Sequence, residues 1–320
     1  MKILVTGGAG YIGSITVKQL LAKGYEVVVF DNLKQGHKDA VGCELVVGDL
    51  LNKEELSKSL DGYQFDAVIH FAALALAGES MQEPYEYFHN NIIGGMNLLE
   101  YMKNKKIPSI IFSSTCAIYG TPKDLPVKET EEKKPESVYG ESKLAFEKTL
   151  FWYEKIYGIH YINLRYFNAS GASLDGTLGE RHDPETHIIP IAIKKARTNQ
   201  PFPLFGTDYP TPDGTCIRDY IHVEDLATAH IQALEKITKD NTSDSYNLGT
   251  GKGYSNREVL TMVKKISGID FPIEEKEKRP GDPPIIYADN TKAKNELGFE
   301  ARYSDLETIV KTAWEWHKKS

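Results

Sequence analysis

Tyr139-x-x-x-Lys143 puts a phenol and an ammonium on one face of a helix, one turn apart. The ammonium favours the phenolate, so the pair reads as a base usable near neutral pH. The pattern alone is cheap, because the chain carries a second copy, Tyr101-x-x-x-Lys105. Position separates the two. Ligands of a doubly wound sheet lie beyond the carboxyl ends of its strands. Tyr139 opens the helix that follows a strand ending in Ser113-Ser114-Thr115, whose hydroxyls can face the same point. Tyr101 closes the helix that leads into that strand, so it belongs near the opposite edge and reads as an exposed helix end.

A second chemistry is written at the N-terminus. Thr6–Ser14 reads TGGAGYIGS and contains Gly8-x-Gly10-x-x-Gly13 between an apolar run and a helical pattern. Glycines there let the backbone approach a pyrophosphate, and the free N–H groups at the helix start attract it. Asp31 closes the next apolar run, where a carboxylate can bond both ribose hydroxyls of an adenosine and would repel a 2′-phosphate. NAD is therefore expected in preference to NADP. Asp49 follows the third run and fits a bond to the adenine amine, or equally a turn or helix cap.

These residues need a frame to hold them. Lys2–Thr6, Glu26–Phe30, Glu44–Val47, Asp66–Phe71, Ser109–Ser113 and Ile159–Tyr166 are nearly continuous apolar runs, separated by helical patterns. Such runs mark a parallel sheet covered on both faces. The expected helices include one long helix over about Pro84–Lys103 and another over about Ser137–Tyr157. The expected fold is α/β, a doubly wound (Rossmann) parallel sheet with a smaller α/β C-terminal lobe. The dinucleotide domain should span 1–168, joined by parts of about 217–250, and the second lobe 169–320. Gly171–Pro190 and Gly206–Cys216 are rich in Gly, Asp, Thr and Pro and read as long functional loops. Helical patterns return at Val223–Lys236, Ser255–Lys265 and Leu306–Lys318, and Tyr246–Gly249 reads as a strand that rejoins the sheet.

Composition limits the alternatives. The 320 residues carry a net charge of -7 with no basic tail or stripe, which argues against a general nucleic-acid binder. No apolar run approaches the roughly 18 residues of a membrane span, and no secretory leader pattern is present, so a cytoplasmic protein is expected. Cys43, Cys116 and Cys216 are odd in number and too widely spaced for a zinc site. They read as free thiols of a reducing compartment, and no metal site is expected.

The motifs together resemble the extended short-chain dehydrogenase/reductase superfamily, and within it the nucleotide-sugar epimerases. The resemblance rests on TGGAGYIGS, Asp31-Asn32-Leu33, Phe71–Ser80, Ser113–Gly120 and Tyr139-Gly-Glu-Ser-Lys143. It continues through Arg165–Ala172, His182–Pro190, Phe205–Ala227 and Arg279–Pro283, so it covers essentially the whole chain. It implies reversible C4 epimerisation of UDP-glucose and UDP-galactose by transient hydride transfer to tightly bound NAD, through a 4-keto intermediate. Tyr139 would be the acid/base, Lys143 would lower its pKa and bond the nicotinamide ribose, and Thr115 would assist at O4.

The resemblance also implies the contacts. The cofactor would meet Gly7, Gly10, Tyr11, Ile12, Gly13, Asp31, Asn32, Asp49 and Leu50. Beyond these lie Phe71, Ala72, Ala73, Asn90, Ser113 and Phe167, with Tyr139 and Lys143. The UDP-hexose would meet Thr115, Asn168, His187, Ile188 and Pro203-Leu204-Phe205. Arg218 and Arg279 would clamp its pyrophosphate, and Asp282 would bind the uridine ribose. On local grounds alone, Arg218 reads first as an ion pair with Asp219 or Asp225. Tyr209, Asp213 and His222 read as structural.

Ala75 stands where some relatives have Lys, and Ile15 where His is frequent. Ile286 occupies the position that gates sugar size, which leaves epimerisation of UDP-N-acetylhexosamines as an alternative. A 4,6-dehydratase would need an acid/base pair where this chain has Cys116-Ala117, and a non-catalytic NAD-binding module would have no use for Tyr139, Lys143 and Thr115. The resemblance implies a homodimer formed through the two long helices.

Overall fold

The computed structural model describes residues 1–278 and 283–319. The first half lays down strands and helices in alternation. They are β1 (Lys2–Thr6), α1 (Tyr11–Ala22), β2 (Glu26–Asp31), β3 (Glu44–Val47), α2 (Lys53–Ser59) and β4 (Ala67–His70). Next come α3 (Ala77–Ser80), α4 (Pro84–Phe88), α5 (Gly94–Lys105), β5 (Ser109–Thr115), α6 (Val138–Tyr157) and β6 (His160–Tyr166). The expected single helix over Pro84–Lys103 is α4 and α5 joined by a π-helical turn, His89–Ile93. π-turns often accompany functional sites, and this one carries Asn90 and Asn91.

The second half adds β7 (Asn168–Ser170), α7 (Ile188–Thr198), β8 (Phe202–Phe205), β9 (Ile217–Arg218), β10 (Tyr220–His222) and α8 (Val223–Asp240). It ends with β11 (Asp244–Leu248), β12 (Tyr254–Ser255), α9 (Asn256–Ser267), β13 (Ile273–Lys276), β14 (Ile285–Ile286), α10 (Thr291–Leu297) and α11 (Leu306–His317).

Seven strands form one parallel sheet in the order β11-β6-β5-β4-β1-β2-β3. The order reverses between β1 and β4, which is where such sheets bind ligands. The strands read as apolar runs because both faces are covered. Leu4, Val28 and Val68 point to one face with Leu98, Leu99 and Phe146 of α5 and α6. Ile3, Val5 and Ile69 point to the other, against α1, α8 and α10. The strand expected at Tyr246–Gly249 is β11, which pairs with β6 at the sheet edge. The second lobe is built from small sheets and a separate apolar core among α7, α9 and α11.

Two local readings are sharpened. Tyr101 is not an exposed helix end: it is buried, and its hydroxyl donates to the Leu60 carbonyl. Lys105 pairs with Asp61 at 2.7 Å. The pair lies at the edge away from the carboxyl ends of the strands, as its position implied. Ile15 is fully buried against Val223 and Ala227 of α8.

Candidate active site

Beyond the carboxyl ends of β1, β2, β4 and β5 lies a cavity of about 610 Å³. Its floor is the turn after β1. Gly7 has φ +74° there, and a Cβ on it would sit 2.4 Å from the Ala72 nitrogen. Only glycine fits that conformation and that approach. Gly10, Tyr11, Ile12 and Gly13 line the same space at the start of α1. This is the N-terminal end of a helix whose side chains leave room for an anion.

Asp31 is buried at the end of β2 and oriented by backbone donors. Its Oδ2 accepts from Ala9 N at 3.0 Å and its Oδ1 from Leu33 N at 2.8 Å. Asn32, Asp49 and Leu50 continue the wall, and Phe71, Ala72, Ala73 and Asn90 form the opposite side. Asp49 plays its turn role as well: Oδ1 accepts from Leu51 N, and Oδ2 from Asn32 and Lys34. Burial works against its charge, but these donors hold its carboxyl below the usual range. A glycine floor, a helix start and a ribose-height carboxylate fit a dinucleotide. Ala75 lines the cavity as well.

The residues expected to react line the cavity's inner end. Thr115 ends β5, and its Oγ1 accepts from Ala117 N at 3.1 Å. Ser137 caps α6 by accepting from Gly140 N at 3.1 Å. A Cβ on Gly140 would lie 2.6 Å from the Ala117 carbonyl oxygen, so glycine is what lets α6 start against the turn after Thr115. Tyr139 and Lys143 then face the cavity with Ser113, Thr115 and Phe167. Lys143 is buried, and its Nζ donates to the Ser113 carbonyl at 2.9 Å. That ammonium lies 5.9 Å from the centre of the Tyr139 ring.

The charges of these groups are set mainly by burial. Burial pushes the Tyr139 phenol well above its ordinary value, Tyr166 raises it further, and a hydrogen bond with Thr115 acts the other way. Burial also pushes Lys143 down, to about 7. The expected lowering of the phenol by Lys143 is therefore not the dominant effect in the polypeptide alone. A lysine with a native value near 7 and an unfolded value near 10.5 binds fewer protons when folded. Stability from this group therefore rises with pH between those values, and below about 7 the chain carries the whole cost of burying the charge. Lys143→Met should abolish turnover yet stabilise the chain at pH 6, by on the order of 3 kcal/mol after loss of the Ser113 bond. Denaturant unfolding at pH 6 and pH 10 measures this, and the gain should shrink at the higher pH.

The substrate residues divide. Asn168 and His187 line the cavity. Asn168 donates to the Asp219 carbonyl at 3.1 Å. Ile188, Pro203, Leu204, Phe205, Arg218 and Ile286 do not line it; they belong to α7, β8, β9 and β14. Leu204 is buried in that lobe's core, so only its backbone could meet a ligand. Ile286 is buried with Phe167, Leu144 and Cys116. Arg279 and Asp282 lie outside the described residues. Asp219 accepts from Thr250 and from the Ala288 and Gly251 amides, while Asp225 accepts from Ser304 and the Arg302 and Tyr303 amides. Both carboxylates thus carry structural duties of their own. His222 is structural as expected: it caps α8 through Glu224 N and meets Thr312 Oγ1 at 3.0 Å.

Several contributors escaped the sequence reading. Tyr166 lines the cavity and bonds Ser113 Oγ. Asn91, buried on the π-turn, holds the Leu74 backbone from both sides and donates to Ser142 of α6 at 3.0 Å. Glu147, one turn beyond Lys143, grips Arg165 of β6 through two bonds of 2.9 and 2.7 Å and accepts from Ser114 at 2.6 Å. Each is a polar residue inside an apolar element, which is the one signal that marked it. Glu180 and His182, from the long loop after β7, also line the cavity.

The chain matches the NAD dependent epimerase/dehydratase family over residues 3–249. It is 47% identical over 321 residues to the UDP-glucose 4-epimerase of Lacticaseibacillus casei, covering 99% of this chain and 97% of that one. Its fold is similar to the UDP-glucose 4-epimerase of Brucella ovis in complex with NAD, with a TM-score of 0.95 at 47% identity and 98% and 97% coverage. It is likewise similar to the enzyme of Bifidobacterium longum in complex with NAD+ and UDP, with a TM-score of 0.95 at 36% identity and 100% and 99% coverage. With sequence, sheet order and glycine-floored cleft in agreement, this chain belongs to the NAD dependent epimerase/dehydratase family.

Proposed function

We propose that this protein interconverts UDP-glucose and UDP-galactose by inverting C4, with NAD held in the cavity described above. The carrying observation is the meeting of Tyr139, Thr115 and Lys143 at the inner end of a dinucleotide-shaped cleft. Relatives of 47% identity over nearly the whole chain, with the same named activity, support it.

NAD, when bound, supplies the reversible two-electron oxidation of C4. The protein's own groups manage the proton and the positions. Tyr139 takes the proton of the 4-hydroxyl as the carbonyl forms, and returns it when the alcohol is restored. Thr115 holds O4 beside the phenol. Lys143, anchored by the Ser113 carbonyl, is placed to bond the nicotinamide ribose, and positive charge near Tyr139 favours the phenolate against its burial. Inversion follows when the ketose presents its other face, which requires room around the sugar and firm hold of the nucleotide. Asn168, Arg218, Arg279 and Asp282 are assigned to that hold, a guanidinium fork being suited to pyrophosphate. Ile286 is assigned to the packing behind the sugar, through its contact cluster with Phe167, which lines the cavity.

A homodimer is part of the reading. Tyr85, Phe88, Ile93 and Met96 on one helical stretch, with Phe151 and Trp152 on α6, are exposed apolar side chains on neighbouring helices. An apolar face of that kind marks a protein contact. Among the described residues no helix is long and apolar enough to cross a membrane. The unpaired thiols Cys43, Cys116 and Cys216 support a cytoplasmic setting.

The test is incubation of the purified protein with UDP-galactose, first without added NAD. Formation of UDP-glucose is expected, since the cycle returns the cofactor to its starting state. Failure to form it even with NAD supplied would overturn the assignment.

A further inference from the structure

The loop from Gly171 to His187 runs from the second lobe across the start of α1 and contains no regular structure. Loops of this length inside a compact chain usually serve a purpose. It is tied to the first domain at several points. Tyr11 donates to the Gly171 carbonyl at 2.6 Å, and Lys18 donates to Thr177 at 2.8 Å. Arg181 grips Asp39 through bonds of 2.8 and 3.0 Å.

At its inner turn four ligating groups converge within eight residues: Glu180, His182, Glu185 and His187. One donor atom from each lies within 4.8 Å of every other. Glu180 Oε1 is 2.9 Å from His182 Nδ1 and 2.6 Å from His187 Nδ1, and His187 Nδ1 is 3.2 Å from Glu185 Oε1. The Glu180 side chain is only 5% exposed, and its partners are the two imidazoles.

We propose that Glu180, His182, Glu185 and His187 form a structural zinc site that fixes this loop over the cofactor cleft. Two imidazole nitrogens and two carboxylate oxygens are donors that zinc accepts, and two carboxylates cancel its charge. Donors about 2.1 Å from zinc stand about 3.4 Å apart at the corners of a tetrahedron. Three of the six separations, at 2.6, 2.9 and 3.2 Å, fall short of that spacing, and all six lie within 4.8 Å, so the donors already surround one point. Four protein donors leave no open position, so the role is to hold the loop and not to activate water.

The site departs from the expectation of no metal, which weighed only the cysteines. The ligands are a cluster of Glu and His inside a Gly- and Asp-rich loop, where no spacing rule flags them. Its consequence is mechanical. Glu180, His182 and His187 line the same cavity as Gly10 and Tyr11, so zinc would brace the roof above the phosphate turn. Trp316 of α11 donates to the Glu180 carbonyl at 3.0 Å and secures that brace to the second lobe.

The experiment strips the full-length protein with EDTA and titrates it with zinc chloride by calorimetry, beside the His182→Ala and Glu185→Gln variants. One zinc per chain is expected in the unchanged protein, with a dissociation constant below about 1 μM and a rise in Tm. Each variant should bind at least tenfold more weakly and lose most of the Tm rise. Co2+ in place of zinc should give d–d absorption without a thiolate charge-transfer band, which separates this site from the three cysteines. That spectrum on the unchanged protein keeps the test decisive if a variant does not fold. No stoichiometric binding to the unchanged protein, a thiolate band, or equal affinity in His182→Ala would each overturn the proposal.

Discussion

Replacing Tyr139 by Phe will lower turnover of UDP-galactose by about 10²–10⁴-fold, the usual contribution of one positioned acid/base. The ring keeps its place at the start of α6, so the protein should retain NAD through purification and KM should move little. The reason lies in what surrounds the phenol. Burial raises it, and a hydrogen bond with the Thr115 hydroxyl lowers it. No other phenol at the inner end combines that partner with a buried ammonium 5.9 Å away among the described contacts. Tyr166, the next phenol, is raised by burial and engaged by Ser113. Initial rates and cofactor absorbance on one preparation decide the matter. A rate within threefold of the unchanged protein would remove Tyr139 from the proton's path.

The second large effect is on stability. Glu147→Ala is expected to cost about 3–5 kcal/mol, because it strands a guanidinium in the core. Arg165 is 4% exposed and Glu147 6% exposed, and the pair joins α6 to β6 while Ser114 of β5 completes the acceptor. Tyr119 accepts from Arg165 Nη1 at 3.0 Å and passes the chain of bonds to Asn247 of β11. Replacing both members, Glu147→Met with Arg165→Met, should recover much of the loss, since the cost comes from an unmatched charge and not from lost attraction. Urea unfolding of the three variants measures both. If the single and double variants were equally unstable, the stranded-charge explanation would fail.

What the sequence made legible follows from how local each signal was. The glycine turn, Asp31 and the apolar strands are local patterns, and they predicted a parallel sheet and the residues that line the cavity beyond it. Tyr139 and Lys143 became distinguishable from Tyr101 and Lys105 once the helix was placed after β5. The failures are non-local. Tyr101 was expected to be exposed, but packing against Leu60 buries it. The helix α7 went unremarked because the Gly- and Asp-rich loop before it gives no periodic lead. Glu147 carries no motif, and the motif that begins at Arg165 says nothing of its ion pair, which depends on a partner 18 residues away. The residues assigned to the nucleotide sit mostly outside the cavity wall because their strands belong to the second lobe, whose packing no spacing rule predicts.

The position of β11 has a consequence for how this chain is made. Residues 1–168 contain the glycine turn, Asp31, Thr115, Tyr139 and Lys143, yet the sheet they build ends on β6 with one edge unpaired. Asp244–Leu248 covers that edge, and α8 covers the face beside it. A nascent chain halted at residue 168 would present a long apolar strand ready to pair with another molecule. The growing polypeptide must therefore carry an unfinished sheet through some eighty further residues of synthesis. Its most hazardous interval for aggregation is the one in which Thr115, Tyr139 and Lys143 have already been made.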